Sequence, residues 1–113
     1  MENNLPFVSI VIPTWRESKV ISQCIHSLSV QDYPRDKFEI ILISKEKVSF
    51  DKSEINGLEI NFIGGDFNGA EARNVAVKIS RGEILAFLDD DCVVPKDWIS
   101  KGVKFFERED IGL

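Results

Sequence analysis

The chain has 113 residues, room for one domain and too few for two. It is 43% hydrophobic and 29% charged, ordinary for a soluble globular protein, and 19 acidic against 14 basic residues leave a net charge of -5. That balance, with no basic cluster longer than a pair, argues against a nucleic-acid backbone as partner, and no apolar run approaches the ~20 residues needed to cross a bilayer.

Phe7 to Ile12 is a β-branched apolar run stopped by Pro13, which predicts a buried strand. Val20, Ile21, Cys24, Ile25 and Leu28 then recur at helical spacing, predicting an amphipathic helix from Lys19 to about Gln31 with Ser18 as candidate N-cap. His26 falls on its solvent side. Asp32 to Asp36 contains Pro34 and reads as a turn. Phe38 to Ile43 is a second buried strand, Ser44 to Gly57 is polar and irregular, and Glu59 to Ile63 alternates as a third strand nearer the sheet edge. Gly64 to Gly69 is a glycine-rich loop. Ala72, Val75, Ala76 and Ile79 mark a helix from about Ala70 to Ser80, closed by Arg81-Gly82. Glu83 to Leu88 is a fourth strand, apolar after its first residue, and Asp89-Asp90-Asp91 follow at once. Trp98, Ile99, Val103 and Phe106 give a last helix from about Lys96 to Glu109.

Strands alternating with helices predict an α/β fold: a doubly wound, mainly parallel sheet with helices on both faces, Rossmann-like. Ligands of such sheets bind beyond the carboxyl ends of the strands. That rule points to Pro13 to Glu17, Ser44 to Glu46 and Asp89 to Cys92.

Three adjacent carboxylates repel one another. At ~5 Å and an effective dielectric near 20, each pair costs roughly 3 kcal/mol before relaxation and screening. Solvent lowers that cost, and so does a divalent cation. Mg²⁺ and Mn²⁺ prefer carboxylate oxygens and typically take one or two of them plus substrate phosphates. A solvated acidic turn is the competing reading of the triplet taken alone; its place after a buried strand, on the ligand side, favours the metal.

Ile84-Leu-Ala-Phe-Leu-Asp-Asp-Asp-Cys-Val-Val-Pro95 resembles the strand and Asp-x-Asp motif of the family 2 glycosyltransferases. Val8-Ser-Ile-Val-Ile-Pro-Thr-Trp-Arg-Glu17 resembles that family's opening strand and loop, and Ser27-Leu-Ser-Val-Gln-Asp-Tyr-Pro34 the end of its first helix. Asn68-Gly-Ala-Glu-Ala-Arg-Asn74 with Arg81-Gly-Glu-Ile-Leu-Ala-Phe-Leu88 resembles its glycine loop, second helix and fourth strand. Four motifs in the family's order cover Val8 to about Ile99.

The resemblance implies the nucleotide-diphospho-sugar transferase (GT-A) fold and transfer of a sugar from a nucleoside diphosphate donor to an acceptor hydroxyl, with inversion and with Mg²⁺ or Mn²⁺. It ranks Asp91 first as metal ligand and Asp89 second, near the ribose and the metal-bound phosphates, with Asp90 third and in the donor site. It assigns Pro13, Thr14 and Glu17 to the loop that meets nucleobase and ribose. It assigns Arg73 and Asn74 to the base or diphosphate, against helix-surface ion pairing of Arg73 with Glu71 or Glu83. Trp15 is a candidate base-stacker. Cys92 reads as a packing neighbour of the site. Where the family carries an aspartate that reads uracil, this chain has Ser44-Lys45-Glu46, so the donor base stays open among uridine, guanosine and thymidine.

The family's general base lies beyond the acidic motif, in an acceptor half, so none is assigned here. The expectation is a single donor-binding domain, 1–113, inactive by itself, with no membrane segment of its own. Two separated cysteines, Cys24 and Cys92, and a start without a basic, apolar leader suggest a reducing, cytoplasmic setting; a further C-terminal part would place it at the inner face of a membrane. By resemblance the first strand lies beside the fourth, leaving Ile84 to Leu88 an open edge that invites a homodimer. The competing classes are a nucleotide- or metal-binding module without chemistry, a receiver domain, which needs an acidic pair after its first strand, and a nucleotidyltransferase, which needs a glycine-rich basic loop there.

Overall fold

The computed structural model describes residues 5–14, 18–45, 57–65 and 69–109. In chain order these form β1 (Val8–Thr14), α1 (Ser18–Ser29), a single 3-10 turn (Arg35–Lys37), β2 (Phe38–Ser44), β3 (Ile60–Gly64), α2 (Gly69–Ile79), β4 (Ile84–Phe87) and α3 (Trp98–Glu109). The four strands make one parallel sheet in the order β3-β2-β1-β4. The sheet is doubly wound, as expected. Glu17, Trp15, Glu46 and Asn68 lie outside the described residues.

The alternation of side chains along the central strands assigns the helices to faces. Ile10, Ile12, Ile40 and Leu42 pack with Ile21, Cys24, Ile25 and Leu28 of α1 and with Ile99 and Val103 of α3. Val11, Ile41 and Ile43 point to the opposite face and meet Ala72 and Ala76 of α2. Burial of each isoleucine or leucine contributes about 1.5–3 kcal/mol relative to leaving it in water. With both faces covered, β1 and β2 read as near-continuous apolar runs.

β1 does not stop at Pro13, as the sequence suggests, but runs through it to Thr14. Leu88 donates its backbone N–H to the Val11 carbonyl at 2.9 Å, so Val11, and two residues on Pro13, turn their backbone groups toward β4. β4 has ended at Phe87. Pro13 therefore lacks an N–H where no neighbouring strand needs one. The opposite side keeps its ladder to the end: Thr14 is level with Ser44 on β2, and Ser44 with Gly64 on β3.

β4 is shorter than its apolar run and less covered than β1 or β2. Ile84, Leu85 and Ala86 are half-buried and Phe87 is exposed, because among the described residues β4 pairs with β1 alone. At the other end of the sheet Glu39 is only 1% exposed. Its carboxylate accepts from Ser9 Oγ (2.7 Å), the Arg81 backbone N–H (3.0 Å) and Asn61 Nδ2 (3.2 Å). Arg81 also pairs with Glu59 at 2.6 Å and covers the Phe7 ring. No apolar stripe marks this network; its only trace in the sequence is one acid inside the run Phe38-Glu39-Ile40.

Candidate metal and donor site

The strands deliver Thr14, Ser44 and Gly64 to one end of the sheet, and the aspartates follow β4 at that same end. The chain turns there: Cys92 donates its backbone N–H to the Asp89 carbonyl at 3.1 Å, closing a turn with Asp90 and Asp91 at its centre. The three aspartates do not share one environment. Asp90 is 4% exposed and accepts a 2.7 Å hydrogen bond at Oδ2 from the hydroxyl of Thr14, which is itself fully buried. Asp89 and Asp91 are exposed, and one oxygen of each lies with the Cys92 sulfur in a group whose members are within 4.8 Å of one another.

The segment after the turn is fastened to one face of α1. The Cys24 thiol lies 3.8 Å from the Asp89 carbonyl as its donor. Ser27 Oγ accepts from the Val94 N–H at 3.2 Å. Gln31 donates to the Pro95 carbonyl at 2.6 Å and accepts from the Ile99 N–H at 2.9 Å. Residues 24, 27 and 31 recur at helical spacing, so one stripe of α1 and its exit holds the chain from Asp89 to Ile99. The sequence marks Cys24 as apolar core and Gln31 as a helix end, and gives neither this role. Burial, reinforced by Cys92, Asp90 and Asp91, pushes the Cys24 thiol up to about 12, so it stays a protonated donor.

Arg73 and Asn74 are exposed on α2. The Arg73 guanidinium sits over the Phe87 ring, 5.6 Å from its centroid, which brings it to the last residue of β4. Pro13 is half-buried at the end of β1. Ser44 is buried and its carbonyl accepts from Gly65 N–H at 3.0 Å, while Lys45 is exposed. Cys92 packs against the α1 side of the core and is also a member of the donor group; its packing was legible in the sequence and its neighbourhood to both carboxylates was not.

Two carboxylates and a thiol on one turn fit a divalent cation by donor chemistry, the oxygens suiting Mg²⁺ and Mn²⁺. An all-parallel four-stranded sheet with helices on both faces is a Rossmann-like α/β arrangement, and the chain's structural neighbours are GT-A nucleotide-sugar transferases. The profile of glycosyl transferase family 2 matches residues 9–113, and the chain belongs to that family.

Among curated relatives it is 34% identical to glycosyltransferase AglE of Haloferax volcanii, an alignment covering 100% of this chain and 40% of that protein. It is 26% identical to poly(ribitol-phosphate) beta-N-acetylglucosaminyltransferase TarS of Staphylococcus aureus, covering 88% of this chain and 19% of TarS. The chain thus spans less than half the length of these relatives. Among solved structures, mannosyltransferase PcManGT of Pyrobaculum calidifontis in complex with GDP-Man and Mn²⁺ superposes with a TM-score of 0.78 at 26% identity, over 93% of this chain and 33% of that one. S. aureus TarS in complex with UDP superposes with a TM-score of 0.74 at 25% identity, over 90% and 32%. No helix among the described residues is long and apolar enough to cross a membrane.

Proposed function

We propose that this chain is the donor- and metal-binding part of an inverting glycosyltransferase that moves a sugar from a nucleoside diphosphate to an acceptor hydroxyl with Mg²⁺ or Mn²⁺. The observation that carries this reading is the outward pair Asp89 and Asp91 at the carboxyl end of β4. Their oxygens would hold the cation, with Asp91 the principal ligand. A bound cation neutralises charge that develops on a diphosphate leaving group. PcManGT has been crystallised with GDP-Man and Mn²⁺ and TarS with UDP, and both are similar to this chain in fold and sequence.

The chain's own residues divide the remaining work. The family's motif assigns Pro13, Thr14 and Glu17 to the loop that meets base and ribose. Arg73, carried to the end of β4 by its contact with Phe87, offers a planar cation to the base or diphosphate. Asn74 stands beside it on α2. The base that deprotonates the acceptor is assigned to none of residues 1–113, which are read as binding the donor.

Base choice follows from the second strand. Ser44 can make one hydroxyl hydrogen bond where the family's aspartate offers a charged acceptor to a base N–H. Calorimetric titration with UDP, GDP and TDP in Mn²⁺ tests the reading. All three are expected to bind within a ~100-fold range, about 2.7 kcal/mol. Binding of none would overturn the donor-site assignment, and a UDP preference beyond that range would show that another residue reads the base.

A further inference from the structure

We infer that Asp90 is a positioning residue of the metal site and not one of its ligands, and that Thr14 is its partner in that role. The inference rests on the proposed assignment of the cation to Asp89 and Asp91. A ligand must present an oxygen on the side where the ion sits. Asp90 is 4% exposed, and its Oδ2 accepts from a hydroxyl that no solvent reaches. Taking a carboxylate out of water is costly unless it is hydrogen-bonded, and a hydroxyl donor to an anion at 2.7 Å is the short, charge-assisted kind.

The bond also lies where the sheet leaves a gap. The β1–β4 ladder runs from Val8 and Ile84 to Val11 and Phe87, with a last backbone bond from Leu88 to Val11. Beyond it, Thr14 and Asp90 tie the turn to the end of β1. The turn is supported a second time by Cys24, which meets the Asp89 carbonyl from α1. With its middle residue drawn inward, the turn leaves its flanking residues outward, and Asp89 and Asp91 bring oxygens within 4.8 Å of each other. Two like charges would relax apart on a free turn. The Thr14–Asp90 bond holds them at a separation one ion can span. Groups that orient metal ligands in this way typically change metal affinity ~10- to 100-fold when removed.

The test is Mn²⁺ alone, titrated into the full chain in nucleotide-free buffer and followed by the loss of the free-ion paramagnetic resonance signal, at a temperature below the melting point of every variant. Asp91→Asn is expected to lose more than ~100-fold in affinity. Asp90→Asn keeps an amide oxygen for Thr14 but removes one negative charge near the ion, and is expected to lose clearly less affinity than Asp91→Asn. Thr14→Val is expected to lose ~10- to 100-fold although its side chain touches no metal, and Thr14→Ser to restore the parent value. If Thr14→Val lowers only the melting temperature and leaves Mn²⁺ affinity unchanged, the bond is merely structural and the inference falls. If Asp90→Asn falls as far as Asp91→Asn, Asp90 is a ligand and the inference falls in the other direction. Unchanged affinity in both Asp89→Asn and Asp91→Asn would instead overturn the assignment of the cation itself.

Discussion

The side-chain oxygen of Gln31 accepts the backbone N–H of Ile99 at 2.9 Å, so a residue just past α1 satisfies one of the open donors in the first turn of α3. The same side chain donates to the carbonyls of Ser27 and Pro95. Each such bond contributes about 1 kcal/mol net, so Gln31→Ala is expected to cost about 2–3 kcal/mol in a urea titration. Gln31→Met, which keeps the volume and removes the polar ends, is expected to lose a similar amount. Parent-like stability of the methionine variant would show that only the volume of Gln31 matters.

Gly82 and Ser9 touch too closely for any other residue at position 82. The Gly82 N–H donates to Ser9 Oγ at 2.8 Å. A Cβ on Gly82 would lie 2.6 Å from both the Ser9 nitrogen and its hydroxyl oxygen, and 2.8 Å from the Ile84 carbonyl. Backbone atoms cannot move aside cheaply. Gly82→Ala is expected to cost about 3 kcal/mol or more, lowering the melting temperature on the order of 10 °C. A shift below ~2 °C would contradict the packing.

The alternating elements were legible because each obeys one period. α1 keeps Ile21, Cys24, Ile25 and Leu28 on one stripe, and β1 and β2 carry apolar runs interrupted near their starts by Ser9 and Glu39. The position of the acidic site was legible because it follows β4 in sequence. Which aspartate turns inward was not, since that depends on Thr14 meeting Asp90 across 76 residues of chain. Pro13 misleads for a similar reason: its cost in a strand depends on where β4 ends, and one strand's sequence says nothing of its neighbour's length. Glu39 is an acid in an apolar run whose partners, Ser9, Asn61 and Arg81, come from three other segments.

Cys24 makes stability depend on alkaline pH. Its thiol, ordinarily near 9.0, is raised by burial to about 12 in the fold. Between those values the folded chain keeps a proton that the unfolded chain gives up. The contribution is therefore complete below pH 9 and is lost as pH rises toward 12, on the order of 4 kcal/mol across the window. In chelator-containing buffer, Cys24→Ser, whose hydroxyl does not titrate there, is expected to lose less stability between pH 9 and pH 11 than the parent. Parallel losses in the two proteins would show that the thiol is not held protonated.

Among the described residues no strand pairs with the outer side of β4, and self-association of this chain is expected in solution. Leu88 bonds to β1, so by alternation Leu85 and Phe87 turn their backbone groups away from it. Beside this edge an apolar groove of about 310 Å³ is lined by Ile84, Phe87, Trp98, Ile99 and Val103, among others. A second copy that pairs edge to edge about a two-fold axis would cover both. Light scattering over a concentration series is expected to show the dimer growing with concentration, and Phe87→Lys to weaken it. A monomer at every concentration would refute the edge argument.

The proposed site binds a divalent cation, through Asp89 and Asp91, together with a nucleoside diphosphate. Thermal unfolding of the full chain measures this most directly, with Mn²⁺, with a nucleoside diphosphate, and with both. The two together are expected to stabilise more than either alone, by roughly 2.7 kcal/mol at ~100 times the dissociation constant. Asp91→Asn is expected to abolish the metal-dependent part and to leave the ligand-free melting temperature within a few degrees of the parent. A metal-dependent stabilisation that survives unchanged in Asp91→Asn, or none in the parent with any of UDP, GDP or TDP, would contradict it.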